Sequence, residues 1–170
     1  SQLKDSGLED IILSNTNVKI IGRNSNKTLD ALNKNLNEKL INVENLNRNQ
    51  MALLRRNFLG FVFQSFNLLG RTSALENVEL PLVYRKIPAK QRKEMAFEAL
   101  SKVSLQSVVY NTPAQLSGGQ QQRVAIARAI VSHPLVLLAD EPTGNLDSIK
   151  SMEIMNLLKQ LNEDENITII

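Results

Sequence analysis

The chain has 170 residues, of which 42% are hydrophobic and 22% charged, as is ordinary for a globular domain. Its net charge of +3 comes from 20 basic and 17 acidic residues spread along the sequence, so no nucleic-acid partner is expected. The absence of cysteine excludes disulfides and thiolate zinc sites. No apolar run approaches the roughly 20 residues of a membrane helix. These totals predict a soluble protein that contacts a membrane only through a partner.

The N-terminal region differs in composition from the rest of the chain. Asparagine recurs through residues 14–50, with only short apolar segments between the asparagines. From residue 51 onward the sequence becomes mixed and periodic. We interpret residues 1–40 as an Asn-rich insertion or an atypical N-terminal segment, and residues 41–170 as the main domain.

Strand and helix patterns alternate along the main domain. Aromatic and β-branched residues at 58–63 predict a buried strand, and Pro88 opens an amphipathic helix. The glycines at 118 and 119 open a second helix, which Pro134 ends, and the apolar run Leu135–Ala139 suits a strand covered on both faces. A helix over 152–161 and a strand from Ile167 follow. This order predicts an α/β fold with a parallel sheet.

Two short motifs are candidates for chemistry. Ser117, Gly118, Gly119 and Gln120 open a helix where glycines let backbone N–H groups approach an anion and the helix dipole adds positive charge. The alternative is a plain glycine-rich helix start. Asp140 and Glu141 end the apolar strand and could form a metal and water site, although an acidic pair taken alone is more often a solvated turn or a helix cap.

The run LSGGQQQRVAIARA, from Leu116 to Ala129, resembles the signature of the ATP-binding-cassette (ABC) ATPases. The resemblance implies the P-loop NTPase-like ABC cassette fold, a parallel core sheet with a helical subdomain at about 71–118, and ATP and Mg²⁺ as cofactors. It also implies that Ser117, Gly118, Gly119 and Gln120 contact the γ-phosphate held by a second cassette.

The same resemblance assigns roles to the carboxylates and to one glutamine. Asp140 would hold Mg²⁺ directly or through water, and Glu141 would polarise the attacking water as general base. Gln64 would touch both Mg²⁺ and the attacking water. Asp147, in the PTGNLD continuation, would shape the site across the dimer. The segment 72–82 resembles the lipoprotein-release, macrolide-exporter and cell-division branch.

Two elements of the family pattern are not found in these 170 residues. A phosphate-binding loop needs Gly, four residues, Gly, Lys and then Ser or Thr, and no such stretch occurs. The nearest candidate, residues 22–28, has Asn26 where the second glycine belongs. The switch histidine would follow the strand at Ile167, and the lone His133 is expected in a surface loop. We therefore expect a cassette incomplete at both ends that does not hydrolyse ATP by itself.

The resemblance implies an ATP-binding subunit of an ABC transporter on the cytoplasmic face of the membrane. A cassette dimer would couple ATP hydrolysis to transport through permease subunits, in export or in lipid, lipoprotein or peptide handling. The alternatives are a non-hydrolysing interaction module that completes a partner's site, and a cell-division-type ABC ATPase. The transported substrate, its direction and the membrane partner are not encoded in these motifs.

Overall fold

The computed structural model describes residues 48–170. The Asn-rich segment 1–40 and the phosphate-loop candidate at 22–28 lie outside the described residues. The elements, in chain order, are α1 (Arg48–Phe58), β1 (Leu59–Phe63), α2 (Ala74–Tyr84), α3 (Ala89–Lys102), α4 (Gly118–Ile130), β2 (Val136–Asp140), α5 (Ser148–Glu165) and β3 (Thr168–Ile169), with short 3-10 turns at Gln106–Val108 and Pro113–Gln115.

The three strands form one parallel sheet in the order β1-β2-β3. Leu59 pairs with Val136 and Phe63 pairs with Asp140, so β1 and β2 end at the same edge. On the other side of β2, Val136 pairs with Thr168. Helices α2, α3 and α4 lie between β1 and β2 along the chain, and α5 lies between β2 and β3, which confirms the parallel α/β architecture expected from the alternating pattern.

Gly60 brings β1 and α4 into close contact. A Cβ atom at this position would lie 2.5 Å from the backbone oxygen of Ala129 and 2.9 Å from a side-chain carbon of Leu137. Real Cβ atoms do not approach a backbone oxygen so closely, so residue 60 must be glycine for α4 to pack on the strand. The sheet and the helix that begins at the signature motif are thereby joined without a gap.

Helices α2 and α3 pack on α4 and complete the main core. Leu82, Leu100 and Ile126, one from each helix, are fully buried in this core. The amphipathic helix expected after Pro88 is confirmed as α3. Both helices fall within the range proposed for a helical subdomain, and that division stays a prediction.

Strand β1 is buried on one face more deeply than on the other. Val62 is fully buried, while Phe61 and Phe63 are half-buried and stack on each other with ring centroids 6.1 Å apart. These two rings line a cleft of about 710 Å³ between β1, α1, α2 and α4. The sequence predicted a buried strand. In the structure, only the face of β1 that packs on α4 is fully buried, and the opposite face is half-buried.

Across residues 48–170, no helix has the length and apolar character that crossing a bilayer requires.

Candidate active site

The carboxyl edge of the sheet brings together side chains that are far apart in sequence. Gln64 follows Phe63, the last residue of β1, and Asp140 is the last residue of β2. Because Phe63 and Asp140 are paired, Gln64 and Glu141 leave neighbouring strands at the same level. In open α/β sheets this edge is where ligands bind.

Glu141 turns the chain away from the sheet. Its φ is 43°, in the left-handed region that residues with a Cβ rarely adopt, and its side chain is exposed. The turn closes where the Gly144 N–H donates to the Glu141 carbonyl at 3.0 Å. Such outliers persist only where the surrounding structure holds them, and they concentrate at functional sites.

The Gln64 side chain lies against the loop that Glu141 begins. A Cβ at Gly144 would lie 2.5 Å from Gln64 Nε2, so glycine leaves the space that the amide occupies. The Asn145 side chain donates from Nδ2 to the Gln64 carbonyl at 2.9 Å. Gln64 is thus fixed beside the acidic pair through its backbone and through its side chain.

The chemistry of these side chains fits a magnesium ion that arrives with a nucleotide. Within residues 48–170, no protein group donates a hydrogen bond or forms an ion pair with the carboxylates of Asp140 and Glu141. The same described part of the chain holds no cluster of three or more metal-ligating side chains. Mg²⁺ usually binds through one or two carboxylates together with substrate phosphates and water. Asp140 provides a carboxylate at this edge, and the neighbouring Gln64 provides an amide oxygen, which is also a hard oxygen donor.

The signature motif forms the first turn of α4. Ser117 is the N-cap residue, and its Oγ accepts a hydrogen bond from the Gln120 N–H at 3.3 Å. Gln120 completes a capping box, because its Oε1 accepts from the Ser117 N–H at 2.9 Å. The N–H groups of Gly118 and Gly119 belong to the first turn of α4, where the positive end of the helix dipole lies.

Neighbouring side chains also pack near the two glycines of the motif. A Cβ at Gly119 would lie 3.1 Å from Lys150 Cδ, and one at Gly118 would lie 3.5 Å from Leu146 Cδ2 and 3.8 Å from Phe66 Cζ. The sequence pattern indicated only their value for anion approach. The structure adds that Gly119 leaves room for the Lys150 side chain of α5, whereas the space around Gly118 would accept a Cβ.

Asp147 caps helix α5. Its Oδ1 accepts a hydrogen bond from the Lys150 N–H at 2.8 Å, and the residue is exposed. It follows Leu146, whose Cδ2 lies 3.5 Å from where a Cβ on Gly118 would stand, so Asp147 lies close to the signature turn. The role expected for Asp147 across a dimer stays a prediction, and the cap explains its position independently.

Three ionic side chains link α4 to α5 behind the signature turn. Glu153 accepts from Arg123 Nη2 at 3.2 Å and from Lys150 Nζ at 2.9 Å. These hydrogen bonds, that from Lys150 first, lower the pKa of the Glu153 carboxyl. Lys150 therefore passes along Gly119 with its ammonium group engaged by Glu153.

Comparison with known proteins gives this arrangement its family. The family model described as "ABC transporter" matches residues 15–144. The chain belongs to the ABC transporter family. It carries that family's ATP-binding cassette, and the matched residues include Gln64, the signature and the acidic pair.

Relatives of the cassette include macrolide-type exporters. It is 51% identical to "Macrolide export ATP-binding/permease protein MacB" of Syntrophobacter fumaroxidans, over 75% of this chain and 18% of that protein. It is 53% identical to "Uncharacterized ABC transporter ATP-binding protein" of Thermotoga maritima, over 71% of this chain and 52% of that protein. The chain thus spans about half or less of the length of these curated relatives.

A solved structure confirms the cassette fold. The "Dimeric structure of a post-hydrolysis state of the ATP-binding cassette MJ0796 bound to ADP and Pi" is 46% identical, with a TM-score of 0.64 over 74% of this chain and 56% of that one.

The cassette also contains polar residues around the site that sequence reasoning did not select. Gln122 is fully buried and donates from Nε2 to the Pro142 carbonyl at 2.6 Å, which ties α4 to the loop after Glu141. Arg128 donates to two carbonyls of the Gln64 loop. The sequence did contain one indication for Gln122. It stands three and four positions before the apolar Ala125 and Ile126, so it lies on the same, buried face of the helix.

Proposed function

We propose that the full-length protein is the ATP-hydrolysing subunit of an ABC transporter. The observation that carries the proposal is the paired ending of β1 and β2, which sets Gln64 beside Asp140 and Glu141 while the two carboxylates have no partner among residues 48–170. A nucleotide with its metal would supply those partners. For these 170 residues alone, the prediction stays that ATP is not hydrolysed, because no phosphate-binding lysine loop occurs in the sequence.

Each side chain at the sheet edge has its own task in the proposed reaction. Asp140 and the Gln64 amide oxygen hold Mg²⁺, which neutralises charge on the phosphates when bound. Glu141 accepts the proton of the attacking water as general base, and its exposed carboxylate is accessible to that water. Gln64 orients the same water through its amide.

The signature turn serves a second cassette. Ser117, Gly118, Gly119 and Gln120 present the N-terminal end of α4, and Asp147 lies beside that end. We propose that they bind the γ-phosphate of ATP held by a partner cassette, so that ATP closes the dimer. The support is the exposed Ser117 at the N-terminus of α4 together with the solved MJ0796 relative, which is described as a dimer bound to ADP and Pi.

A permease is the proposed membrane partner, and the cleft beside β1 is its proposed docking place. The cleft holds exposed Tyr84 and Arg55 on one side and Asn67 of the Gln64 loop on the other. A segment seated there would touch the loop that carries Gln64. The name of the MacB relative joins ATP binding and a permease in one protein. These points support export from the cytoplasmic face of the membrane as the function.

Substitution of the signature serine tests the cross-dimer assignment. In the full-length protein, Ser117→Arg places a bulky side chain at the proposed γ-phosphate contact. We expect it to abolish ATP turnover and ATP-dependent dimerisation, measured by light scattering, while binding of a fluorescent ATP analogue is kept. Its matched control is Ser73→Arg, because Ser73 and Glu76 form the same capping box on α2.

The control separates a damaged helix from a lost contact. Both substitutions disturb an N-cap, but only Ser117 lies at the proposed interface. Full turnover and dimerisation by Ser117→Arg would contradict the assignment of the signature to a partner's ATP. Absence of turnover in the natural full-length protein would contradict the proposed hydrolysis itself.

A further inference from the structure

We infer that Arg128 is a positioning residue that fixes the Gln64 loop to helix α4, so that this loop and the signature turn move as one body. Arg128 lies near the C-terminal end of α4, three turns after Ser117. The kinetic consequence rests on the proposed function, whereas the mechanical coupling does not.

The guanidinium group of Arg128 holds two successive carbonyls of the loop. Nη1 donates to the Asn67 carbonyl at 2.6 Å, and Nη2 donates to the Phe66 carbonyl at 2.8 Å. This use of a rigid fork of donors is specific to arginine, since an ammonium group is a single point of charge.

The loop has a backbone that needs such support. Phe66 and Asn67 have φ values of 57° and 51°, so two successive residues with side chains adopt the left-handed region. For Phe66 in particular this conformation is unfavourable without external contacts. Arg128 binds the carbonyls of these same two residues, and so stabilises the unusual turn directly.

The charge of Arg128 serves these carbonyls rather than a carboxylate. The side chain is half-buried, and burial lowers the pKa of its guanidinium group. Among the residues described, no acidic side chain lies within ion-pair distance of it. Burying part of a cation costs free energy unless it is hydrogen-bonded. Both hydrogen bonds that offset this cost for Arg128 are with carbonyls of the Gln64 loop.

The loop touches the other end of α4 as well. The Phe66 ring reaches to 3.8 Å from the position of a Cβ on Gly118, at the signature turn. Two hydrogen bonds from Arg128 thus hold the loop near the C-terminal end of α4, while the Phe66 ring lies near its N-terminal end. While the two Arg128 hydrogen bonds persist, a displacement of the Gln64 loop also displaces α4, so Arg128 transmits motion between Gln64 and the signature at the start of that helix.

Distance measurements test the coupling without reference to activity. These 170 residues contain no cysteine, so once any cysteine elsewhere in the full-length protein is replaced by serine, Ser65→Cys and Ala114→Cys, both at exposed positions, give two unique sites for spin labels. Ser65 lies in the Gln64 loop and Ala114 lies just before the signature. In the full-length protein we expect double electron–electron resonance to give one narrow distance distribution, and Arg128→Lys to broaden it at least about twofold.

Arg85 provides a matched control. It is also a half-buried arginine that donates to backbone carbonyls, those of Arg56, Asn57 and Ser132, at 2.7 to 3.0 Å. It does not contact the Gln64 loop. We expect Arg85→Lys to lower the melting temperature while the 65–114 distribution stays narrow. An unbroadened distribution in Arg128→Lys, or equal broadening in both variants, would overturn the inference.

Kinetics gives the second readout. Displacement of Gln64 by a fraction of an ångström should lower kcat by about tenfold in Arg128→Lys, because Gln64 orients the attacking water, and should change KM by less than about twofold, because Asp140 still holds the metal. A loss of the same size in Arg85→Lys, or an effect on KM alone, counts against a positioning role. If the unsubstituted protein shows no turnover, the proposed function fails while the distance measurement still decides the coupling.

Discussion

The signature turn and the carboxyl edge of the sheet differ in how far the protein itself satisfies their polar groups. At the signature turn, the Ser117 hydroxyl and the Gln120 amide bond each other's backbone, and neighbouring side chains pack on both glycines. At the sheet edge, the Asp140 and Glu141 carboxylates make no such bonds within residues 48–170. One region is a finished structural element, and the other is prepared for a ligand.

This difference separates stability from activity. Changes at the signature turn should cost folding free energy as well as function, because its side chains cap a core helix. Changes at the sheet edge should cost function alone, since removing an unbonded, solvent-accessible carboxylate leaves no partner group unsatisfied.

The largest expected effect is the loss of ATP turnover when Glu141, at the carboxyl edge of the sheet, is replaced. Glu141→Gln should lower the ATP turnover of the full-length protein by about a hundredfold to ten-thousandfold, the usual contribution of a general base. Its free energy of unfolding should change by less than about 0.5 kcal/mol, as for other surface substitutions. Steady-state turnover and urea unfolding measure the two quantities.

Glu94→Gln is the matched control for this experiment, because Glu94 is an exposed glutamate on α3 away from the site. It should change neither quantity. Unfolding of Glu141→Gln at a clearly lower urea concentration would remove the contrast between the two regions.

The contact between Gly60 on β1 and Ala129 on α4 joins the two regions, and its loss should have the next largest effect on stability and turnover. Gly60→Ala places a methyl group 2.5 Å from the Ala129 backbone oxygen, so β1 and α4 must separate. Overpacking of this kind costs about 1 to 3 kcal/mol. Because β1 leads to Gln64 and α4 starts at the signature, we expect stability and turnover to fall together, as thermal unfolding and ATPase assays would report.

Gly70→Ala is the comparison, since no atom lies within 4 Å of a Cβ built there. It should be neutral or slightly stabilising, through the lower entropy of the unfolded chain. Equal losses at positions 60 and 70 would mean that backbone freedom, and not the β1–α4 contact, decides the outcome.

Sequence patterns predicted the three strands and helices α3, α4 and α5, because the apolar positions of elements such as β2 and α4 follow their own repeat closely, but they did not predict α1 or α2. The parallel sheet followed from their order. The carboxylates and the signature were found because their motif is contiguous. The roles of Gln64, Ser117 and Asp147 at a nucleotide stay predictions.

Contacts between segments distant in sequence could not be predicted in this way. Residue 60 must be glycine because Ala129, nearly 70 residues later, packs against it. Arg128 is needed because its guanidinium group bonds the carbonyls of Phe66 and Asn67. A glycine in a strand or an arginine on a helix does not indicate its partner. The left-handed turn at Glu141 depends on the loop to Gly144 and leaves no periodic signal either.

A smaller effect compares the two capping boxes. Ser117→Ala and Ser73→Ala each remove a hydroxyl that accepts from the backbone N–H three residues later, at 3.3 and 3.2 Å. Both should lower the free energy of unfolding by about 1 kcal/mol. Only Ser117→Ala should also weaken ATP-dependent dimerisation. A dimerisation defect in Ser73→Ala of the same size would show that helix capping alone explains the signature serine.

The smallest expected effect lies far from both regions and sets the baseline against which they are compared. Lys102 on α3 bonds Glu165 at 2.6 Å and lies 3.6 Å from Glu98, and the hydrogen bond to Glu165 raises the pKa of its ammonium group.

A folded-state pKa above the unfolded value means that the stabilisation is complete below the unfolded pKa of about 10.4 and is lost as the pH rises through the folded pKa. For a partly exposed pair the gain is below about 1 kcal/mol. The difference in unfolding free energy between the unsubstituted protein and Lys102→Met should therefore be constant from pH 7 to 9 and should shrink above pH 10.4. A difference that grows with pH would reverse the assigned sign. Turnover at pH 7 should not respond to Lys102→Met, because Lys102 contacts neither the Gln64 loop nor the signature turn.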